Sequence, residues 1–149
     1  LSGTPGLLGV ARRALERVDA APGAPEGART LWDELVASAR EGEPALSLPG
    51  SGSDFAVFLH HLGLPVLELG LGGNGGGQYH TRFDDFAVVE RFLDPGFVGH
   101  ETLARLLAAL LEELSEAGRD ALDPSELGRA LAARARAAGA ESDEVQGAW

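Results

Sequence analysis

The chain has 149 residues, an apolar fraction of 44% and a net charge of −11, from 23 acidic and 12 basic residues. That length supports one domain with its own core, and that apolar content is too high for wholesale disorder. The acidity excludes a binder of nucleic acid or of anionic lipid, since both need a basic patch, and it keeps the chain soluble.

Composition narrows the chemistry further. Cys is absent, so disulfides, thiol catalysis and zinc–thiolate sites are excluded. No apolar run approaches the roughly 20 residues that span a bilayer. Leu1, Ser2, Gly3 and Thr4 lack the charged and apolar regions of a secretory signal. Compartment stays open. Met is also absent, and Ala140 to Trp149 trails off in acids and small residues without a capping pattern. The expectation is a stretch of a longer protein whose upstream part is missing.

Thr4-Pro5 reads as a helix start, with Thr4 as N-cap and Pro5 in the first turn. Leu7, Leu8, Ala11, Leu15 and Val18 continue at helical spacing to about Asp19. A loop with two Pro and two Gly precedes a short helix from about Thr30 to Arg40. Glu41 to Gly52 is loop again. Ser53-Asp54 offers an N-cap for a helix carrying Phe55, Phe58, Leu59 and Leu62, and Gly63 is placed to end it.

Pro65 to Leu71 alternates and reads as a strand. It leads into the run Gly72 to Gly77, which contains only one residue other than glycine, Asn74. A helix is expected from about Asp84 to Phe92, closed by Asp94-Pro95-Gly96. The clearest helix runs from about Val98 to Glu116, with Leu103, Leu106, Leu107, Leu110, Leu111 and Leu114 as a broad apolar stripe, ended by Gly118. Asp123-Pro124 opens another, carrying Leu127 and Leu131. The fold class is therefore α/β and helix-rich, with an incomplete sheet: one confident strand requires partners from weak strands, another chain or an absent segment.

Few motifs carry chemistry. The Gly72–Gly77 run lacks the Lys and Ser/Thr of a phosphate-binding P-loop and reads as a flexible loop beside a site. His60 and His61 are neighbours on a helix, about 100° apart, which suits surface or packing roles better than a shared metal. His100, just before the Leu-rich helix, reads as structural. No nucleophile elbow for a serine hydrolase is present. His80 differs: it follows a strand and the Gly-rich loop, with Asp84 and Asp85 close behind. That is where open α/β sheets place ligands, and an imidazole there suits zinc.

Three segments together carry a family resemblance. Gly50-Ser51-Gly52-Ser53-Asp54-Phe55 with Phe58 and Leu62-Gly63 resembles the "GSGxDF…F…LG" stretch of glutamate carboxypeptidase-like peptidases. Tyr79-His80-Thr81-Arg82-Phe83-Asp84-Asp85-Phe86 is similar to their "YHSxYDDF" stretch. Phe92-Leu93-Asp94-Pro95-Gly96-Phe97 with His100 resembles the "F.DP.F..H" that follows. Order and spacing agree over about Gly50 to Leu114.

The resemblance implies the C-terminal part of a zinc-exopeptidase α/β fold over residues 1–118. Residues 119–149 would then begin a truncated helical domain that forms a homodimer. It implies two zinc ions in the intact parent, with His80 as one ligand, Tyr79 as an oxyanion-stabilising residue, and Ser51, Gly52 and Ser53 lining the substrate site. Ser53 stands where the family has Asn. The other ligands and the general-base Glu belong upstream of Leu1, so the isolated chain is expected to be inactive on peptide substrates. Glu68 and Gly70 occupy the positions of the Arg-x-Arg pair in glutamate-selective members, so the parent is not expected to prefer a C-terminal glutamate. The alternative is a non-catalytic binding or dimerisation module of the transferrin receptor-like type.

Overall fold

The computed structural model describes residues 1–39, 44–72 and 77–137. Its scaffold is a pair of helices. α1 (Leu8–Glu16) lies against the long α4 (Val98–Ala117), and α2 (Leu31–Ser38) packs on α1. The sequence dictates this pairing. Val10, Ala14 and Val18 recur at i, i+4 and i+8, and Leu106, Ala109 and Leu110 fall on one stripe of α4. All six are buried, with Leu15 and Leu31, in one core cluster. Ala14 and Ala109 are small enough to let the two backbones approach. At the rim, Arg13 Nε donates to Glu113 Oε2 at 2.7 Å, and Arg17 reaches Glu112 and Glu113. The Arg13 guanidinium, with Arg17 behind it, holds the Glu113 carboxyl below its ordinary range.

The start of α1 departs from the sequence reading. Thr4 does not cap it. Its hydroxyl oxygen accepts from Val66 N–H at 3.0 Å, and its own N–H donates to Val66 O at 2.8 Å. The side chain is thus committed to a neighbouring strand, and Pro5–Leu7 forms a tight 3₁₀ turn before α1 proper. α2 begins near the expected point. Thr30 and Asp33 form a reciprocal capping box, and the backbone N–H groups of Arg29 and Thr30 hold the Asp33 carboxyl below its ordinary range.

The sheet is small. β1 (Ser2–Gly3) pairs antiparallel with β2 (Leu67–Glu68), with Ser2 opposite Glu68 and Gly3 opposite Leu67; Ser47 makes a further parallel bridge to Ser2. The expected strand over Pro65–Leu71 is reduced to two residues. Its missing first partner is the N-terminal pair, which is too short to show any alternation. Gly3 is obligatory there: a Cβ would sit 2.7 Å from Val66 O.

The helix expected at Asp84–Phe92 is α3 (Phe86–Val88), which opens at once into a wider turn over Val89–Leu93, closed by Asp94 N–H donating to Val89 O at 2.9 Å, five residues back. Residues 55–62 are helical with the same widening over Val57–His61, and Gly63 ends them at φ +65 as expected. α4 ends at Gly118, whose φ of +54 with ψ −121 is a conformation that favours glycine. α5 (Pro124–Ala137) starts from Asp123, whose N–H donates to Gly6 O at 2.9 Å. The first turn of α5 is therefore anchored to the turn before α1. Gly73–Gly76 of the glycine run, and Ala138 onward, lie outside the described residues.

Candidate functional site

Tyr79 and His80 sit in a turn between β2 and α3. Their rings stack at 3.8 Å with an interplanar angle of 23°. His80 has φ +61, a left-handed backbone that a non-glycine residue adopts only when its surroundings hold it. The restraint is local. His80 N–H donates to Asp84 Oδ2 at 3.1 Å, and Thr81 N–H and Oγ1 both donate to Gln78 O, at 2.9 and 2.6 Å. Asp85 then caps α3 by accepting from Val88 N–H at 3.0 Å. The paired acids behind His80 therefore have separate structural jobs, one on the turn and one on the helix.

Tyr79 is 72% exposed and forms part of the wall of an open cleft of about 570 Å³. Leu93, Asp94, His100 and Leu103 line it too, and Gly70 contributes backbone. Ser51, Gly52 and Ser53 are exposed and do not line this cleft; the preceding Gly50 carbonyl lies 3.1 Å from His60 Nε2, tying that loop to its own helix. His60 is otherwise exposed on that helix. Glu68 is turned to the sheet instead, accepting from Ser2 Oγ at 2.6 Å, whereas Gly70 faces the cleft.

The most constrained group in the cleft was not assigned a site role from the sequence. Asp94 accepts from three donors: Gly99 N–H and His100 N–H, both at 3.0 Å, and His100 Nδ1 at 2.5 Å. The His100 ring, followed by the two backbone N–H groups, holds the Asp94 carboxyl down at about 2. An ionised carboxylate only accepts, so Nδ1 carries the proton and donates. Phe97, left-handed at φ +57, stacks on Phe86 and meets the edge of His100. The signal in the sequence was the Asp six residues before His across a Pro-Gly turn, at the mouth of a helix whose first N–H groups need acceptors.

A zinc site takes three or four protein ligands. Among the described residues, no group of three or more His, Asp and Glu side chains converges. Near His80, Asp84 is engaged with the backbone through the oxygen named above. The described residues therefore do not by themselves fit zinc. No described helix is long and apolar enough to cross a membrane.

This arrangement, a helix-backed α/β chain with a Tyr-His turn beside a cleft, has peptidases as its relatives. The chain is 32% identical over 127 residues to the aminopeptidase NAALADL1 of Rattus norvegicus, covering 76% of this chain and 17% of that protein. The mouse (Mus musculus) aminopeptidase NAALADL1 is 40% identical over 80 residues, 49% of this chain and 11% of the relative. A probable glutamate carboxypeptidase, LAMP1, of Arabidopsis thaliana is 32% identical over 88 residues, 59% and 13% respectively. No family model and no solved structure matches. The chain belongs to the glutamate carboxypeptidase and transferrin receptor-like family, and it spans less than a fifth of the length of these relatives.

Proposed function

We propose that the chain supplies one wall of an exopeptidase site that is completed by residues outside it. Tyr79 and His80 are its chemistry-bearing pair, with the tyrosine hydroxyl as an oxyanion donor and the imidazole as one ligand of a shared zinc site. Ser51, Gly52 and Ser53, which lie outside the Tyr79 cleft, would line the substrate site on a separate face of that completed assembly. The observation that carries this reading is the Tyr79–His80 turn, held left-handed by Asp84 at the edge of an open cleft, in a chain whose relatives are named as peptidases. The same geometry supports no turnover by the isolated chain, because a single imidazole leaves zinc short of ligands.

The test has two parts. Purified 149-residue chain, dialysed against zinc, is expected to hold less than one ion per chain and to release no chromophore from aminoacyl anilides; steady hydrolysis would refute the reading. In a longer polypeptide that contains this stretch and is active, His80→Ala is expected to lower hydrolysis at least about a hundredfold, together with bound zinc, given that even outer partners of a metal cost up to that much. Glu68 and Gly70 in place of a cationic pair point to a broad aminopeptidase-like preference, which competing peptides with C-terminal glutamate or leucine would reveal. Residues from 119 onward are proposed to open a dimerisation region, and sedimentation of the chain reads its mass directly.

A further inference from the structure

We infer that His100 is a substrate-binding residue of the Tyr79 cleft, reading the backbone of an extended peptide through its Nε2. The inference rests on the peptidase reading for its ligand class, and on separate observations for the residue. His100 and Tyr79 form walls of the same cleft of about 570 Å³. Among the described residues the imidazole is fixed at one end only. Nδ1 donates to Asp94 Oδ2, while Nε2 has no hydrogen-bond partner among the described residues, and the side chain is 63% exposed. The edge contact with Phe97 sets the ring's tilt.

An Asp-anchored imidazole has one tautomer when neutral, with the proton on Nδ1 and the lone pair on Nε2. Nε2 then accepts from a peptide N–H or a terminal ammonium. Leu93 and Leu103 supply apolar wall beside it for an aliphatic side chain, and the Tyr79 hydroxyl is available to the peptide carbonyl. A histidine whose work was only to complete the Asp94 cap of α4 would gain nothing from a place in the lining of the cleft.

Two substitutions separate these roles. His100→Asn places an amide nitrogen near the Nδ1 position and keeps the bond to Asp94, but removes the Nε2 nitrogen. His100→Gln places its amide group near Nε2 and gives up the bond to Asp94. The probe is the tripeptide Ala-Leu-Ala, titrated into isotope-labelled 149-residue chain and followed by the ring and methyl resonances of His100, Leu93 and Leu103. Circular dichroism checks that each variant retains its helices. The expected result is saturable perturbation of all three residues in wild type, and, read on Leu93 and Leu103, binding weakened about tenfold in His100→Asn, the worth of one hydrogen bond, and largely kept in His100→Gln. Equal binding by wild type and His100→Asn would overturn the inference, as would the absence of any perturbation in wild type. The hydrolysis and zinc assays on His80→Ala report separately on the peptidase reading, so loss of that reading with intact tripeptide binding would leave His100 a peptide-binding residue.

Discussion

The helical scaffold and the stretch from Gly50 to His100 are built by different means. Every member of the main core cluster, from Val10 to Leu110, comes from α1, α4, the residue after α1's last turn (Val18) or the first residue of α2. Between Gly50 and His100 no described side chain is buried, although the stretch contains all six phenylalanines and the single tyrosine. Phe92 is 74% exposed and Phe86 66%. What shapes this stretch is short-range polar bonding: Asp84 to His80, Asp85 to Val88, Asp94 to Gly99 and His100. The family motifs thus lie where residue identity serves turn geometry and the cleft, and the anonymous leucines and alanines lie where burial holds the chain together.

The largest expected contrast follows from that division. Leu106→Ala removes a 4% exposed side chain from the α1–α4 seam and should cost about 2–5 kcal/mol of stability. Phe92→Ala removes a larger side chain and should cost less than about 0.5 kcal/mol in this chain, because it is already in water. Urea denaturation of the two variants checks both. Equal losses would show that the aromatic stretch has a core of its own and would dissolve the comparison. Next in size is Gly6→Ala. A Cβ there would lie 2.7 Å from both Asp123 O and Leu122 Cδ1, so the chain must open the seam that anchors α5 to the turn before α1. The expected cost is about 1–3 kcal/mol, and a neutral result would mean that α5 detaches freely.

A pH series sharpens the comparison from the polar side. The Asp94 carboxyl is held at about 2, below its ordinary 3.8. A lowered folded-state value means that the group's contribution is fully present above about 3.8 and is lost as pH falls toward and through about 2. Melting temperatures of wild type and Asp94→Asn should therefore differ most near neutrality and converge between pH 4 and 2. A gap that stays constant over that range would place the effect of the substitution in packing rather than charge. Asp33 and Glu113 are also lowered and will steepen the acid loss in both proteins alike, which is why the difference between them is the informative quantity.

The sequence was readable where one period or one residue decides the structure. The Leu stripe of α4 and the terminators Gly63 and Gly118 are all of this kind. It was opaque where a side chain had two suitors. Thr4 looks like a cap but is taken by Val66, and only the folded chain brings Val66 beside it. The apolar spacing from Phe86 to Phe92 reads as an ordinary helix, whereas the Asp94–Val89 bond widens its end by one residue. In the site, His80 stood out by its place after a strand and the Gly-rich loop, whereas Tyr79 and Ser51–Ser53 came from family resemblance; the fold shows Tyr79 and His80 as a stacked pair, with Tyr79 lining the cleft and the serines away from it. Asp94 with His100 was missed because a histidine at a helix start, viewed alone, is indistinguishable from a capping or surface residue.

The smallest predicted effect probes the turn at its most strained point. His80 has φ +61, where an L side chain costs roughly 1–2 kcal/mol relative to the right-handed region. Glycine removes that cost but loses about 0.5–1 kcal/mol through its freer unfolded chain. His80→Gly should therefore change stability by about 0 to 1.5 kcal/mol, with a stabilising sign, while His80→Ala should be neutral or slightly destabilising, since it keeps the Cβ. The bond from residue 80 N–H to Asp84 is retained in both, because it uses the backbone. A clear loss of stability in His80→Gly would mean that the stacked Tyr79–His80 rings hold the turn, and the stretch would then owe its shape to side-chain packing after all. If His80→Gly is instead more stable than wild type, histidine is kept at this position at the expense of stability, as expected of a residue held there for its imidazole.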